Sequence, residues 1–294
     1  MKNVLGLFDG ISCGQIALER AGITYDTYYA SEIEEQSIAI TQHHFPKTVQ
    51  LGDITKWREW NLPSLDLIIG GSPCQGFSSA GKRLNFDDPR SRLFFEFVAI
   101  IKHYKPTYWL LENVVMQPHI RDAISATLGV EPVFINSNLV SAQNRKRYYW
   151  TNIPNVSEPA DANISLASIL EDSEYTNGAG ICGRRLNEHG HRNDYDKSLP
   201  IVQCLQVARH DKAPCLTTVS KDSVVSKRAS GRYPHAYESP VLDDWRDLTL
   251  LECERLQTLP DGYTDVAGVP PSKRRRIIGN GWTVDVIAHI MRHI

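Results

Sequence analysis

No apolar run in this chain of 294 residues reaches the roughly 18 residues that a membrane-spanning helix requires. The opening stretch, 1–8, lacks the apolar core and cleavage site of a secretory signal and reads directly as a strand, so a cytoplasmic protein is expected. The six cysteines at 13, 74, 182, 204, 215 and 253 contain no CxxC pair. That spacing argues against a zinc site and a disulfide framework, and no metal is expected. There is no GxGxxG fingerprint and no Walker lysine, which excludes the usual nicotinamide and nucleoside-triphosphate sites. Internal repeats and low-complexity tracts are missing too. The formal net charge of −2 lacks the basic excess that would by itself announce a nucleic-acid binder.

The distribution of charge says more than its sum. Residues 184–235 carry ten Lys/Arg against five Asp/Glu, a local +5 that leaves about −7 for the remainder. A basic segment within an acidic protein suits a polyanionic substrate. The 41% apolar and 22% charged content is that of an ordinary globular chain, long enough for one large domain and a smaller one.

Apolar runs alternate with helical periods over the first 150 residues. Strands are expected at 4–8, 27–31, 48–51, 65–69, 108–111, 133–138 and 147–151, with helices at 14–21, 34–44 and 92–102. This alternation predicts an α/β fold with a doubly wound, mainly parallel sheet. From about 155 to 244, turn residues crowd the chain and basic residues mix with polar ones, as in a smaller, irregular β-rich module. Helical periods return at 248–256, 273–277 and 283–293.

The most informative stretch is Gly70-Gly71-Ser72-Pro73-Cys74-Gln75-Gly76-Phe77-Ser78. It follows an apolar strand, and ligands of open α/β sheets bind outside the carboxyl ends of the strands. A cysteine behind a proline on a glycine-rich loop is a poor packing choice there and a good nucleophile site. Glu112-Asn113-Val114 follows another apolar strand, so a thiol and a carboxylic acid are expected at neighbouring strand ends.

The cofactor half begins with Phe8-Asp9-Gly10-Ile11-Ser12-Cys13-Gly14, between the first strand and the first helix. Glycines there permit a tight turn and close backbone approach by a ligand. Glu32, at the end of the second strand, is placed to grip ribose hydroxyls, and Asp53, after the third, to accept from an adenine amino group. Each carboxylate alone reads more readily as a helix N-cap or a solvated loop residue. Carboxylates at the ends of successive strands, without a phosphate loop, favour S-adenosylmethionine over a nucleoside triphosphate.

These segments identify a resemblance. The chain is similar to the C5-cytosine DNA methyltransferases in 7–10 with Gly14, Ala30-Ser31-Glu32, Gly52-Asp53-Ile54, 71–78, Leu111-Glu112-Asn113-Val114, Gln143-Asn144-Arg145-Lys146-Arg147, 248–257 and Gly279-Asn280, in that family's unpermuted order. One departure stands out: the family's common Phe-Ala-Gly opening is Phe8-Asp9-Gly10 here. That opening, with 91–97, 112–116 and Trp282, resembles the animal de novo branch, stripped of its long regulatory regions, in a compact prokaryotic or phage form.

The resemblance implies a Rossmann-like catalytic domain at 1–172 plus 272–294 and a target-recognition domain at 173–271. It implies S-adenosylmethionine as methyl donor, S-adenosylhomocysteine as product and cytosine C5 in duplex DNA as acceptor. Cys74 is then the nucleophile at C6. Glu112 faces ring N3 and the exocyclic amine, protonated among neutral ring edges. Asn113 orients the loop. Arg145 and Arg147, at i and i+2, share one face of a strand; Arg147 resembles the family arginine at the cytosine carbonyl oxygen, with Arg145 nearby on the target or the Cys74 loop, and which of the two touches the base stays open. Phe8, Asp9, Gly10, Ser12, Gly14, Glu32, Ile33, Asp53, Ile54, Pro73, Asn280 and Trp282 are assigned to the cofactor.

DNA contacts are expected from Ser78, Lys82 and Arg83, on a lid over 78–90, and from Arg184, Arg185, Lys227, Arg228 and Arg232 in the module. The basic run 273–276 reads either as phosphate contacts or as a solvated helix face, and Cys215 as packing. The target base lies inside a stack, so it must be flipped out. A monomer is expected, with a dimer left open, along with a possible cognate restriction endonuclease and no membrane. A tRNA C5-cytosine methyltransferase and a catalytically inactive DNA-binding accessory protein stay open as alternatives, the former disfavoured because the module lacks Cys-Phe-Thr.

Overall fold

The computed structural model describes residues 1–73, 89–189, 191–208, 210–227 and 245–294. Seven strands form the main sheet: β1 (Asn3–Leu7), β2 (Thr27–Ser31), β3 (Val49–Gln50), β4 (Leu67–Gly71), β5 (Tyr108–Val114), β6 (Val133–Asn136) and β7 (Lys146–Thr151). Their spatial order is β3-β2-β1-β4-β5-β7-β6. β1 to β5 run parallel, and β7 is antiparallel to both β5 and β6. This is the expected doubly wound sheet. The order turns at β1, flanked by β2 and β4, so the loops leaving β1 and β4 open side by side at the switch point where such sheets bind ligands.

Alternation along the central strands divides the core in two. Val4, Tyr28, Leu67, Ile69, Leu110 and Tyr149 face one cluster with helix α1 (Cys13–Arg20) and the C-terminal helices α5 (Leu250–Leu256), α6 (Pro271–Asn280) and α7 (Val284–Met291). Leu5, Leu7, Ile68, Leu111 and Trp150 face the other, with α3 (Pro89–Tyr104) and α4 (Pro118–Leu128). Helix α2 (Glu35–His44) adds Ile40 to the first cluster. The sequence reading places no element between 115 and 132, yet α4 is there. Pro118 opens it and Gly129 closes it at φ 76°, a start and stop pair that amphipathic counting passed over.

A second sheet, in the order β11-β10-β8-β9, is antiparallel. It comprises β8 (Asn177–Arg185), β9 (Ile201–Val207), β10 (Val224–Ser226) and β11 (Trp245–Asp247). Its own core is small: Ala179, Ile181 and Val224, flanked by Leu205, Val207 and Trp245. Leu248, Cys253, Leu256, Leu259, Tyr263 and Val269 belong to the large core, as do Ala213, Leu216 and Val225. Apolar periodicity marks such residues as buried without saying in which core.

Candidate active site

Glu112 lies within β5, opposite Tyr149 of β7, and Arg147 of β7 stands opposite Val114. The twist of this antiparallel pair brings Arg147 Nε to 2.8 Å from Glu112 Oε1, with both side chains nearly buried. Burial works against the Arg147 charge, but the adjacent Glu112 carboxylate together with Cys215 and Tyr149 outweighs it and holds the guanidinium pKa above its ordinary value. Glu112 therefore does not sit among neutral groups as expected; its neighbour is a cation. Its other oxygen, Oε2, lies over Gly71 at the end of β4. A Cβ on Gly71 would fall 2.9 Å from both Glu112 Oε2 and Trp282 Nε1, so glycine is required there.

Asn113 ties β5 to the residues that lead into Cys74. Its Nδ2 donates to Ser72 Oγ at 3.1 Å and to Ser72 O at 3.3 Å, while its Oδ1 accepts from Val114 N at 2.8 Å. This anchors the chain two residues before Cys74. Cys74 itself, with Ser78, Lys82, Arg83, Arg228 and Arg232, lies outside the described residues, as does most of the expected lid. Pro73 is exposed at the end of the described segment.

The two arginines separate clearly. Arg145 is buried just before β7. It donates to Leu216 O at 2.8 Å, Gly281 O at 2.9 Å and Gly279 O at 3.3 Å. Burial, and then the charge of Arg147, lower its pKa. With its guanidinium donating to three carbonyls, Arg145 joins chain segments. Arg147 carries the contact to Glu112.

The loop over 8–14 turns tightly at the end of β1. Phe8, Gly10 and Ser12 all have φ near +55° to +58°. Gly10 N donates to Glu32 Oε2 at 2.8 Å, and Ile33 N and Glu34 N donate to Glu32 Oε1 at 2.7 and 2.9 Å. The Glu32 carboxylate thus closes the loop onto β2 as well as facing the switch point. Asp9 accepts from Tyr28 Oη at 2.7 Å and from Ser12 Oγ. Burial pushes its carboxyl up to about 6. Gly6 and Gly14 make room for this pair, because a Cβ at either would strike Tyr28 Oη; Gly14 thereby serves packing beneath the loop. Cys13 is buried and its thiol pushed up to about 12 by desolvation, an inert group.

Asp53 Oδ1 accepts from Thr55 N at 2.8 Å, capping the 3-10 turn Ile54–Glu59. This is the bland reading of that carboxylate, and the bond lowers its pKa. Ile54 points into the second core cluster, leaving only its backbone for a ligand. Ile33 is 73% exposed beside Glu32, Asn280 ends α6 exposed, and Trp282 is half-buried against Gly71. Beyond Gly10 and Gly52, both at positive φ, a Cβ would meet nothing within 4 Å. The backbone is open to a ligand at these two points, one on each side of Glu32.

The candidate DNA residues of the small sheet are engaged locally. Arg184 donates to Gln206 Oε1 at 3.2 Å, and Arg185 Nε to Leu199 O at 3.1 Å. Lys227 pairs with Glu174 and lies over the Tyr175 ring. In the run 273–276, Lys273 is exposed and the three arginines have partners within the chain. Arg274 pairs with Asp265, Arg276 with Glu34, and Arg275 donates to Leu248 O, Ser220 O and Ser223 O. Sequence reasoning also missed the amide pair Gln143 and Gln257, bonded at 2.9 Å and shared with Thr283. Gln143 Oε1 accepts from Leu216 N. Its only signal was position inside a recognised motif.

This geometry has counterparts in known proteins. The family model of the C-5 cytosine-specific DNA methylases matches residues 2–123 and 134–294. Type II methyltransferase M.NgoBV of Neisseria gonorrhoeae is 30% identical over 221 residues, 66% of this chain and 52% of that protein. Type II methyltransferase M1.ScrFI of Lactococcus lactis subsp. cremoris is 28% identical over 97% of this chain and 75% of its own length. The chain thus spans about half the length of M.NgoBV and more of M1.ScrFI. The fold matches a Spodoptera frugiperda DNMT2 mutant with TM-score 0.64 at 19% identity, covering 100% of this chain and 99% of that one. It matches Entamoeba histolytica EhMeth with TM-score 0.68 at 17% identity, covering 100% and 97%. With the family model covering nearly its whole length, this chain belongs to the C-5 cytosine-specific DNA methylase family.

Proposed function

We propose that this chain transfers a methyl group from S-adenosylmethionine to C5 of a cytosine flipped out of duplex DNA, through a covalent adduct with Cys74. The observation that carries the reading is the buried Glu112–Arg147 pair over Gly71, three residues before Cys74 and next to the switch-point loop. The methyl donor supplies an electrophilic carbon on a sulfonium sulfur. Glu32, with the open backbone at Gly10 and Gly52, fits a ribose and its flanking groups: of the roughly four lone-pair positions of that carboxylate, three are taken by backbone N–H groups. A vicinal diol therefore takes the remaining position and displaces one of these donors.

The reaction needs C5 made nucleophilic. The Cys74 thiolate bonds to C6, the C5–C6 double bond shifts its electrons into the ring, and negative charge builds at N3 and the carbonyl oxygen. Glu112, protonated on Oε2 as the base enters, donates that proton toward N3 and recovers it when the thiolate departs, while Arg147 offers its guanidinium to the carbonyl oxygen, each strengthening as charge develops. C5 then bonds to the methyl carbon as the sulfonium bond breaks. Loss of the C5 proton to water and departure of the Cys74 thiolate restore the ring. The basic segment over 184–227 supplies the phosphate attraction.

Methyl-labelled S-adenosylmethionine incubated with duplex DNA and with tRNA tests this. Label in DNA, confined to cytosine C5 within a short motif, is the expected result. Label in tRNA alone, or in neither while cofactor binds, overturns it.

A further inference from the structure

Cys215 occupies a place that the proposed reaction does not use. It lies in the segment that crosses from the small sheet onto the large core, followed by the buried Leu216. Its sulfur sits 3.5 Å from Arg145 Nη1 and 4.0 Å from Arg147 Nη2. The thiol hydrogen has its own acceptor, Leu216 O at 3.5 Å. The polarity is consistent: S–H donates to a carbonyl, and the sulfur lone pairs receive both guanidinium groups.

Both guanidinium groups approach the Cys215 sulfur, and the charge of Arg147 is among the causes that lower the Arg145 pKa. They therefore repel each other across the site. Each Arg147 nitrogen has a different direction to satisfy: Nε meets Glu112 Oε1 at 2.8 Å, Nη1 donates to Lys146 O at 2.8 Å, and Nη2 points at the Cys215 sulfur. A guanidinium is planar and rigid, so fixing Nη2 fixes the plane in which Nε meets Glu112.

We propose that Cys215 is a positioning residue for the reaction: its sulfur, lodged between the two guanidinium groups, holds Arg147 in the plane that pairs it with Glu112. The segment carrying Cys215 comes from the small sheet, so the sulfur also links placement of that sheet to the geometry of the reacting centre. The inference rests on the proposed methyl transfer for its kinetic readout and on the ion pair alone for its structural one.

The test compares Cys215→Ala and Cys215→Ser with the parent, alone and with Arg147→Lys. Single-turnover methyl transfer is expected to fall about tenfold in Cys215→Ala, with cofactor affinity within twofold of the parent. Cys215→Ser, which keeps a donor and an acceptor, recovers at least a third of the rate. In the Arg147→Lys background, Cys215→Ala costs less than twofold, because the group it positions is gone. An unchanged rate in Cys215→Ala, an equal loss in the Arg147→Lys background, or no recovery with serine overturns the proposal. Crystal structures of parent and Cys215→Ala are read independently of turnover. Loss or lengthening of the 2.8 Å contact between Arg147 and Glu112 supports the proposal, and retention of that contact in the parent geometry contradicts it. A parent that transfers no methyl group defeats the proposed function and leaves this structural readout to decide.

Discussion

The two sheets handle their charged groups in opposite ways. In the seven-stranded sheet, Glu112 and Arg147 face each other with little solvent access, and Asp9 lies beneath the loop at the end of β1. In the four-stranded sheet, the half-buried Arg184 and Arg185 and the exposed Lys227 bond to near neighbours. Buried groups hold one geometry because an unpaired partner in low dielectric is costly. Surface pairs contribute little and exchange readily with phosphate. The chemical centre is fixed by the large core, whereas the small sheet has, among the described residues, a core of Ala179, Ile181 and Val224. It is held in place by tethers, namely Arg145 to Leu216 O, Arg275 to Ser220 O and Ser223 O, and Gly279 against the Thr217 backbone.

The sharpest way to break the contrast is to remove the carboxylate at its centre. Glu112→Gln keeps the side-chain volume, removes the partner of Arg147 and is expected to lower single-turnover methyl transfer by about 10²-fold or more, with cofactor affinity little changed. A loss below tenfold would mean that the ion pair is structural.

Arg145→Ala removes a donor from three carbonyls: Leu216 O and Gly279 O lose their guanidinium bond, while Gly281 O keeps Gln257 Nε2 at 3.1 Å. It should destabilise the protein by about 3 kcal/mol in denaturant unfolding, whereas Arg184→Ala in the small sheet should cost under about 0.5 kcal/mol while weakening DNA binding. Equal costs would erase the distinction between tether and surface pair.

Glu32→Ala removes the carboxylate that closes the cofactor loop. Cofactor affinity should fall about tenfold or more and DNA affinity much less, as read by calorimetric titration of each; equal losses would count against a ribose role.

The last effect, at Asp9, is set by pH and vanishes in acid. Its native carboxyl, near 6, lies above the ordinary 3.8. The stability it contributes is therefore fully present below about 4 and lost as pH rises through 6. Asp9→Asn should be more stable than the parent at pH 8 by at most about 3 kcal/mol, with the gain shrinking toward pH 4. A gain independent of pH would contradict burial of the charged form.

Much of this was legible in the residues. Apolar runs at 4–8, 65–69 and 108–111 mark central strands because both faces of those strands are covered. Glu32 and Glu112 could be placed because strand ends in such sheets face ligands. The arginines of 273–276 could not be resolved from sequence. Their partners Glu34, Asp265 and the carbonyls of 220 and 223 are set by tertiary packing. Arg145 and Arg147 looked equivalent at i and i+2 until β7 began at Lys146, which left Arg145 outside the strand among carbonyls. Cys215 read as packing because nothing in its own segment shows two guanidinium groups arriving from the other sheet.

The central claim is that the carboxylate and guanidinium of β5 and β7 serve a thiol on the loop after β4. Duplex DNA whose cytosines carry fluorine at C5 tests this most directly. After methyl transfer such a base has no C5 proton to lose, so Cys74 cannot depart and the adduct persists. Peptide mapping of the DNA conjugate formed with S-adenosylmethionine should place the bond on Cys74. No conjugate despite methyl transfer to ordinary DNA, or a bond through another cysteine such as Cys215, would contradict the account.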